Sequence, residues 1–158
     1  MDGCGRRRER CDGSLMSDNR PVLPWPREIP FAALLGFELL HFDAGRADIR
    51  WTPGSEHENS FDVVHGGALM TLLDVTMAHA IRSAETEDVG CATIEMKTSF
   101  MRSAVGEIVA SGRVVHRTSA LAFAEATVVD AQGRACCHAT GTFKVFNRMP
   151  KAFKTKQI

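Results

Sequence analysis

Apolar residues run almost without a break from 68 to 81. Ala68, Leu69, Met70, Leu72, Leu73, Val75, Met77, Ala78, Ala80 and Ile81 leave few polar positions among them. A helix apolar on all sides is a buried helix, and the run predicts one from about 67 to 82. Elsewhere the period is two. Ala47, Ile49 and Trp51 alternate with Arg46, Asp48 and Arg50, and Ile94, Met96, Thr98 and Phe100 alternate with Glu95, Lys97 and Ser99. That is the signature of strands with one face on a core. Strands are expected over 37–42, 46–51, 94–100, 107–116, 121–129 and 135–146. Asp43-Ala44-Gly45 and Asp130-Ala131-Gln132-Gly133 read as turns. A short helix over 31–35, ended by Gly36, follows a lead-in stiffened by Pro21, Pro24, Pro26 and Pro30. Two strands, one buried helix and four strands make an α+β domain in which an antiparallel sheet curls around the helix. Such a sheet covers only part of the helix, which leaves room for a second subunit.

One residue breaks the apolar run in a telling way. Asp74 sits mid-helix, and its neighbours one turn away are Met70, Thr71, Met77 and Ala78, none of them cationic. An unpartnered buried carboxylate is costly. Desolvation raises its pKa, and hydrogen bonds from other elements lower it again. Such a group suits a general base or a nucleophile in a dry cleft. Upstream, Gly66 and Gly67 begin the helix, where backbone N–H groups lack intrahelical partners and the dipole adds positive charge. Without side chains they let a ligand approach, as an oxyanion hole requires; the plainer reading is a tight turn that starts the helix. Gly66 and Asp74 are eight positions apart, about 12 Å along a helix axis. One reacting carbonyl cannot touch both ends. If both act together, Asp74 comes from a second, oppositely directed helix, most simply that of a second copy in a twofold dimer.

Composition narrows the class. The chain has 158 residues, enough for one domain with a core, and its formal net charge is zero. That balance points to neither nucleic acid nor an anionic membrane as partner, and no apolar run is long enough for a bilayer span. The five cysteines are odd in number and lack CxxC spacing, which fits a reducing cytoplasm. Adjacent Cys136 and Cys137 are expected to face opposite sides of a strand. The histidines show no metal-ligand spacing, and His79, His116 and His138 carry no expected role. Residues 1–20, with Arg6, Arg7, Arg8 and Arg10, read as a disordered tail without the apolar segment of a signal peptide. A single domain is expected over 21–147 and a loose tail over 148–158.

The segment with Asn59, His65-Gly66-Gly67-Ala68-Leu69 and Leu72-Leu73-Asp74 resembles the signature of hotdog-fold acyl-CoA thioesterases of the phenylacetic-acid-degradation and thioesterase-superfamily-member type. The run from Thr93 through Phe100-Met101-Arg102 resembles that branch's second core strand, with Ser103 where a proline is usual. Arg117-Thr118-Ser119-Ala120-Leu121-Ala122-Phe123 resembles the entry to the following strand. The resemblance covers roughly 31–146. It implies a curved antiparallel sheet wrapped around one long helix, and hydrolysis of an acyl-CoA to free acid and CoA. Asp74 would be base or nucleophile and the Gly66 N–H the oxyanion donor. His65 would help polarise the carbonyl, Asn59 would orient the thioester or water, and Thr93 would hold the water. The site would lie across a homodimer interface, with dimers pairing into a tetramer, and no metal or redox cofactor would be needed.

Gly67, Met70, Met77, Phe61 and Phe100 are expected around the acyl group, since a methionine-rich wall adapts to several shapes. Arg102, Arg117, Thr118 and Ser119 are candidates for the CoA phosphates, because cationic and hydroxyl groups suit that anion. Two other readings stay open at this level: a hotdog hydratase or dehydratase, and a non-catalytic acyl-CoA binder.

Overall fold

The alternating segments become strands and the apolar run becomes the central helix. The computed structural model describes residues 18–85 and 89–146. In chain order these form α1 (Pro30–Leu35), β1 (Glu38–Asp43), β2 (Arg46–Trp51), α2 (Gly66–Ser83), β3 (Gly90–Phe100), β4 (Ile108–Arg117), β5 (Leu121–Asp130) and β6 (Ala135–Phe146). The strands make one six-stranded sheet in the order β1-β2-β4-β5-β6-β3, and all neighbours are antiparallel. Ala44 and Gly45, at φ 49° and 77°, turn β1 into β2. Two consecutive positive φ values suit the twist of a hairpin. No helix among the described residues is long and apolar enough to cross a membrane.

The sheet curls around α2. Leu69, Leu72, Leu73, Met77 and Ile81 are buried on it against Ile49, Trp51, Val128 and Phe143 of the strands. Small residues on β4, β5 and β6 (Ala110, Gly112, Ala124, Ala126, Ala139, Gly141) form the floor under the helix. The fit is tight: a Cβ on Gly112 would stand 2.9 Å from Thr76 Cγ2 and 3.1 Å from Thr76 O. Thr76 turns its hydroxyl back to Leu72 O at 2.7 Å and so keeps its methyl toward that floor. The short helix α1 ends at Gly36 in the left-handed conformation, φ 73°. Trp51 Nε1 donates to Leu35 O at 2.7 Å, which anchors α1 to β2.

Several expectations need correction. β3 begins at Gly90, four residues earlier than its alternation shows, because residues 90–93 pair with the end of β6 although they carry no readable pattern. Cys136 and Cys137 are both fully buried. The register of β5 against β6 shifts there, and this bulge breaks the alternation that would face them apart. Residues 18–20, placed by composition in the tail, are tied to the domain: Asp18 N donates to Glu107 Oε1 at 2.9 Å, and Arg20 pairs with Asp48. The remainder of the expected tails, 1–17 and 148–158, lies outside the described residues. His79, expected to be incidental, is buried between the rings of Trp25 and Phe42.

The two sheet edges differ. Over β1 the lead-in lays a bridge, Leu23 N to Leu39 O at 2.7 Å. Among the described residues nothing pairs with the outer edge of β3, where Ile94 is 57% exposed beside a bulge between Thr93 and Glu95.

Gly112→Ala tests the close helix–sheet approach. The added methyl meets Thr76 backbone as well as its side chain, so overpacking should cost about 1–3 kcal/mol. Thermal denaturation should show a matching drop in midpoint, while Gly133→Ala, with nothing within 4 Å of its Cβ but φ +72°, should cost only the strain of its turn conformation.

Candidate active site

Helix α2 carries Asp74 past β3, and the strand answers with a hydroxyl. Thr93 Oγ1 donates to Asp74 Oδ1 at 2.6 Å. No cation is bonded to Asp74 among the described residues, and Oδ2 has no hydrogen-bond partner there. Burial pushes the carboxyl above its ordinary 3.8, and the Thr93 hydrogen bond pulls it part of the way back. This is a carboxylate with one oxygen oriented and one open.

The other group forms at the start of α2. His65 is the N-cap in extended conformation (φ −62°, ψ 133°), and its Nδ1 accepts the Gly67 N–H at 2.9 Å. The Gly67 amide, expected to be open, is therefore occupied. His65 O takes the N–H groups of Ala68 and Leu69 at 3.0 and 3.1 Å. The Gly66 N–H has no partner among the described residues. The Phe100 ring lies over Gly66, 3.4 Å from where a Cβ would be. Asn59 Oδ1 accepts the Phe61 N–H at 2.9 Å, which spends its carbonyl on the turn and leaves its NH₂ group as a donor. A cavity of about 360 Å³ is lined by Asn59, Gly66, Leu69, Phe100, Arg102 and Ser103 with their neighbours. Ser103 lines it from a loop between strands, where no periodicity marks a wall in the sequence. A larger depression, about 510 Å³, lies on the outer face of the sheet among Arg46, Asp48, Arg113 and Glu125. Its charges are mixed in sign, and neither Asp74 nor Gly66 lines it.

The expected residues thus separate into groups. Asp74 meets Thr93; Asn59, Gly66, Phe100 and Arg102 share one cavity; within a single chain the two groups are not brought together. Phe61 (81% exposed) and Met70 are open to solvent, and Gly67 lies beside Thr71 on the opposite side of the helix start. Met77 is not a pocket wall: it is fully buried and its Cε lies 3.3 Å from a Cβ placed on Gly141. Arg117 is not an open phosphate ligand, since its Nε is 2.7 Å from Glu85 Oε1 and its Nη1 bonds Thr118 O. Thr118 spends its hydroxyl closing the β4–β5 hairpin, accepting from Leu121 N at 3.0 Å. Ser119 is exposed in that same hairpin.

A sheet curled over one long helix, with an acid in the helix and glycines at its start, defines a hotdog thioesterase-type domain. The family model of the thioesterase superfamily matches residues 61–137. A conserved protein of Pseudomonas aeruginosa is 30% identical, with a TM-score of 0.72 over 75% of this chain and 95% of its own. The chain belongs to the thioesterase superfamily. It is also 36% identical over 91 residues to a Halobacterium salinarum protein inferred to be an esterase, spanning 52% of this chain and 60% of that relative's length. The Escherichia coli PaaI protein from the phenylacetic acid degradation operon shares the fold, with a TM-score of 0.69 at 21% identity over 73% of this chain and 83% of its own.

The raised Asp74 pKa makes two expectations. The ionised form is disfavoured in the fold, so Asp74 costs stability as pH rises from the ordinary carboxylate range through its raised value, and the cost is constant above that. Asp74→Asn should therefore melt no lower than the parent at neutral pH, and the difference should shift against the variant in acid. In a pH–rate profile a working Asp74 gives an acid limb above 3.8. Thr93→Val, which removes the bond that favours the carboxylate, should move that limb further up. A limb unmoved by Thr93→Val would separate Thr93 from the titration.

Proposed function

We propose that the protein hydrolyses an acyl-CoA thioester to the free acid and CoA, at a site completed by two copies of the chain. The observation that carries this is Asp74: a half-buried carboxylate with a raised pKa, held by one hydroxyl, in a chain of the thioesterase superfamily. Its open Oδ2 takes a proton from water while the resulting hydroxide attacks the thioester carbon. The carbonyl oxygen becomes an oxyanion and is met by the Gly66 N–H at the positive end of α2. The carbon–sulfur bond then breaks, and the proton held by Asp74 passes to the departing thiolate. Acid and thiol are the products, and the carboxylate is regenerated without a redox or metal step.

The distance between Gly66 and Asp74, about 12 Å of helix, supports a site shared by a twofold pair. So does the unpaired edge of β3, a liability that a second copy would cover. In such a pair, each Asp74 faces the other chain's Gly66. Exposed Phe61, Met70 and Phe100 would then gain a partner surface and form the acyl channel, and Asn59 would orient the thioester with its NH₂. Arg102, whose Nη1 is 2.8 Å from Ala135 O at the cavity rim, is the cation left for a CoA phosphate.

The assay is release of free thiol from a panel of acyl-CoAs. Asp74→Asn should fold and lose about 10²–10⁴-fold in kcat, the usual worth of a positioned base. Gly66→Pro deletes the N–H at a position where helices accept proline, and His65 already has the extended conformation that precedes one. It should cost about 10²–10³-fold, whereas Gly66→Ala keeps the N–H and gauges the contact with Phe100. Mixing Asp74→Asn with Gly66→Pro chains, with exchange of subunits, should restore about a quarter of parental turnover, because half of the dimers regain one of two sites. Retention of full turnover by Asp74→Asn would remove the proposed chemistry, and mixed chains that stay inactive would remove the shared site.

A further inference from the structure

We propose that His65 is a positioning residue whose imidazole caps α2 through the Gly67 N–H and so leaves the Gly66 N–H as the one helix-start N–H without a partner among the described residues, with Gly67 kept small beside the ring. This rests on the reading of Gly66 as oxyanion donor, and it replaces a direct contact of His65 with the carbonyl. Four N–H groups at the start of α2, those of His65, Gly66, Gly67 and Ala68, precede the first ordinary helical bond, from Leu69 N to His65 O at 3.1 Å. Three of them have partners: His65 N–H donates to His57 O at 2.8 Å, Gly67 to His65 Nδ1 at 2.9 Å and Ala68 to His65 O at 3.0 Å. Only Gly66 remains, and it is the one that lines the cavity under Phe100.

The two glycines then have different causes. At Gly67 a Cβ would stand 3.0 Å from His65 Nδ1 and 3.2 Å from its Cε1, closer than ordinary contact, so the ring would have to give by a few tenths of an ångström and its hydrogen bond to the Gly67 N–H would be disturbed. At Gly66 a Cβ would meet only the Phe100 ring, at 3.4 Å, which is ordinary contact. Gly67 is small for the cap, and Gly66 is small for the ligand. The cap also fixes the tautomer. Nδ1 accepts, so the proton of the neutral ring is on Nε2. The ring lines a shallow depression with His57, Glu56 and Glu58, on the side of the helix start away from Asn59 and Phe100. That position suits a brace behind the oxyanion donor.

Variants at 65 separate a brace from a direct donor. His65→Ala should lower kcat on the best acyl-CoA about tenfold, the equivalent of losing a cap, with little change in KM. His65→Asn and His65→Ser, good caps without an imidazole N–H, should restore it to within about threefold. Equal losses in Ala, Asn and Ser would show that the ring itself touches the substrate, and an undiminished Ala variant would show that it does nothing. A double-mutant cycle adds the role of Gly67: Gly67→Ala should be harmful beside His65 and add little once His65 is Ala. Strict additivity would overturn the steric part. Amide hydrogen exchange reads the cap without any turnover. Protection of the Gly67 N–H should fall about tenfold in His65→Ala and persist in His65→Asn. Unchanged Gly67 exchange in His65→Ala overturns the cap even in an active enzyme. A parent chain that cleaves no acyl-CoA overturns the hydrolase reading while the exchange result stands by itself.

Discussion

A half-buried carboxylate on the central helix, given one hydroxyl for company, is the constraint from which the rest of the structure is best read. Among the described residues Asp74 gains no salt bridge, and its bonded partner there is Thr93. Even partial desolvation of a charge on such terms is unfavourable, so the rest of the fold offsets what this position withholds. It does so through the same helix. The residues on either side of Asp74 in sequence, Leu73 and Leu72 before it, Thr76 and Met77 after it, are fully buried. Each fully buried aliphatic side chain contributes about 1.5–3 kcal/mol, so a few of them offset one poorly solvated acid. The row of alanines and glycines beneath α2 is part of this balance, because it lets the helix approach the sheet closely enough for Leu72, Leu73 and Met77 to reach the core.

The same constraint explains how far the sequence could be read. A helix apolar on all sides and strands of period two are properties of burial, and burial is what fixes the architecture. Hence α2, β2 and β6 match the pattern nearly residue for residue. Asp74 was legible because it contradicts its surroundings. Thr93 was less so. It lies in the stretch of β3 without alternation, beside a bulge, and its role comes from pairing with β6 and from facing α2. Bulges also defeat the alternation rule at Cys136 and Cys137. Met77, Arg117 and Thr118 share a different difficulty. Residue type suggested a pocket or a phosphate, and only the fold reveals a packing floor at Gly141, an ion pair with Glu85 and a hairpin closure. A side chain's chemistry names what it can bind, whereas its neighbours decide whether it is still free to do so.

His79 shows the limit of both kinds of reading. Burial holds its ring neutral, with a pKa lowered to about 4. Its Nδ1 contacts Val75 O at 2.8 Å, and its Nε2 has no partner among the described residues. With Nδ1 as donor, Nε2 is left an acceptor in an apolar setting of Trp25 and Phe42. A buried polar atom of this kind costs about 1–3 kcal/mol. Edge contacts from two aromatic rings return part of that. Residue type alone left position 79 without a role, and in packing terms it is a core residue of the helix.

Direction matters as much as burial. A helix has one positive end, and three of the four donors at that end of α2 are taken, two of them by its own N-cap residue. The acid stands eight residues on, too far for its charge to act on that end, since dipole effects fade within the first turn. Within one chain the two groups therefore belong to different neighbourhoods, and on the proposed reading each is incomplete in a complementary way: Gly66 would offer an N–H with no anion, and Asp74 a base with no oxyanion support. A twofold axis between antiparallel helices would resolve both deficits at once, because it pairs each Asp74 with the other chain's Gly66. A parallel copy shifted along the helix axis would satisfy one such pair and leave the other open. The unpaired edge of β3, which carries Thr93 and hence the Asp74 partner, lies where such an axis has a sheet to extend. On the proposed shared site, the acid, its hydroxyl and the strand edge left unpaired among the described residues form one unit, and a second copy would complete the chemistry as well as the sheet.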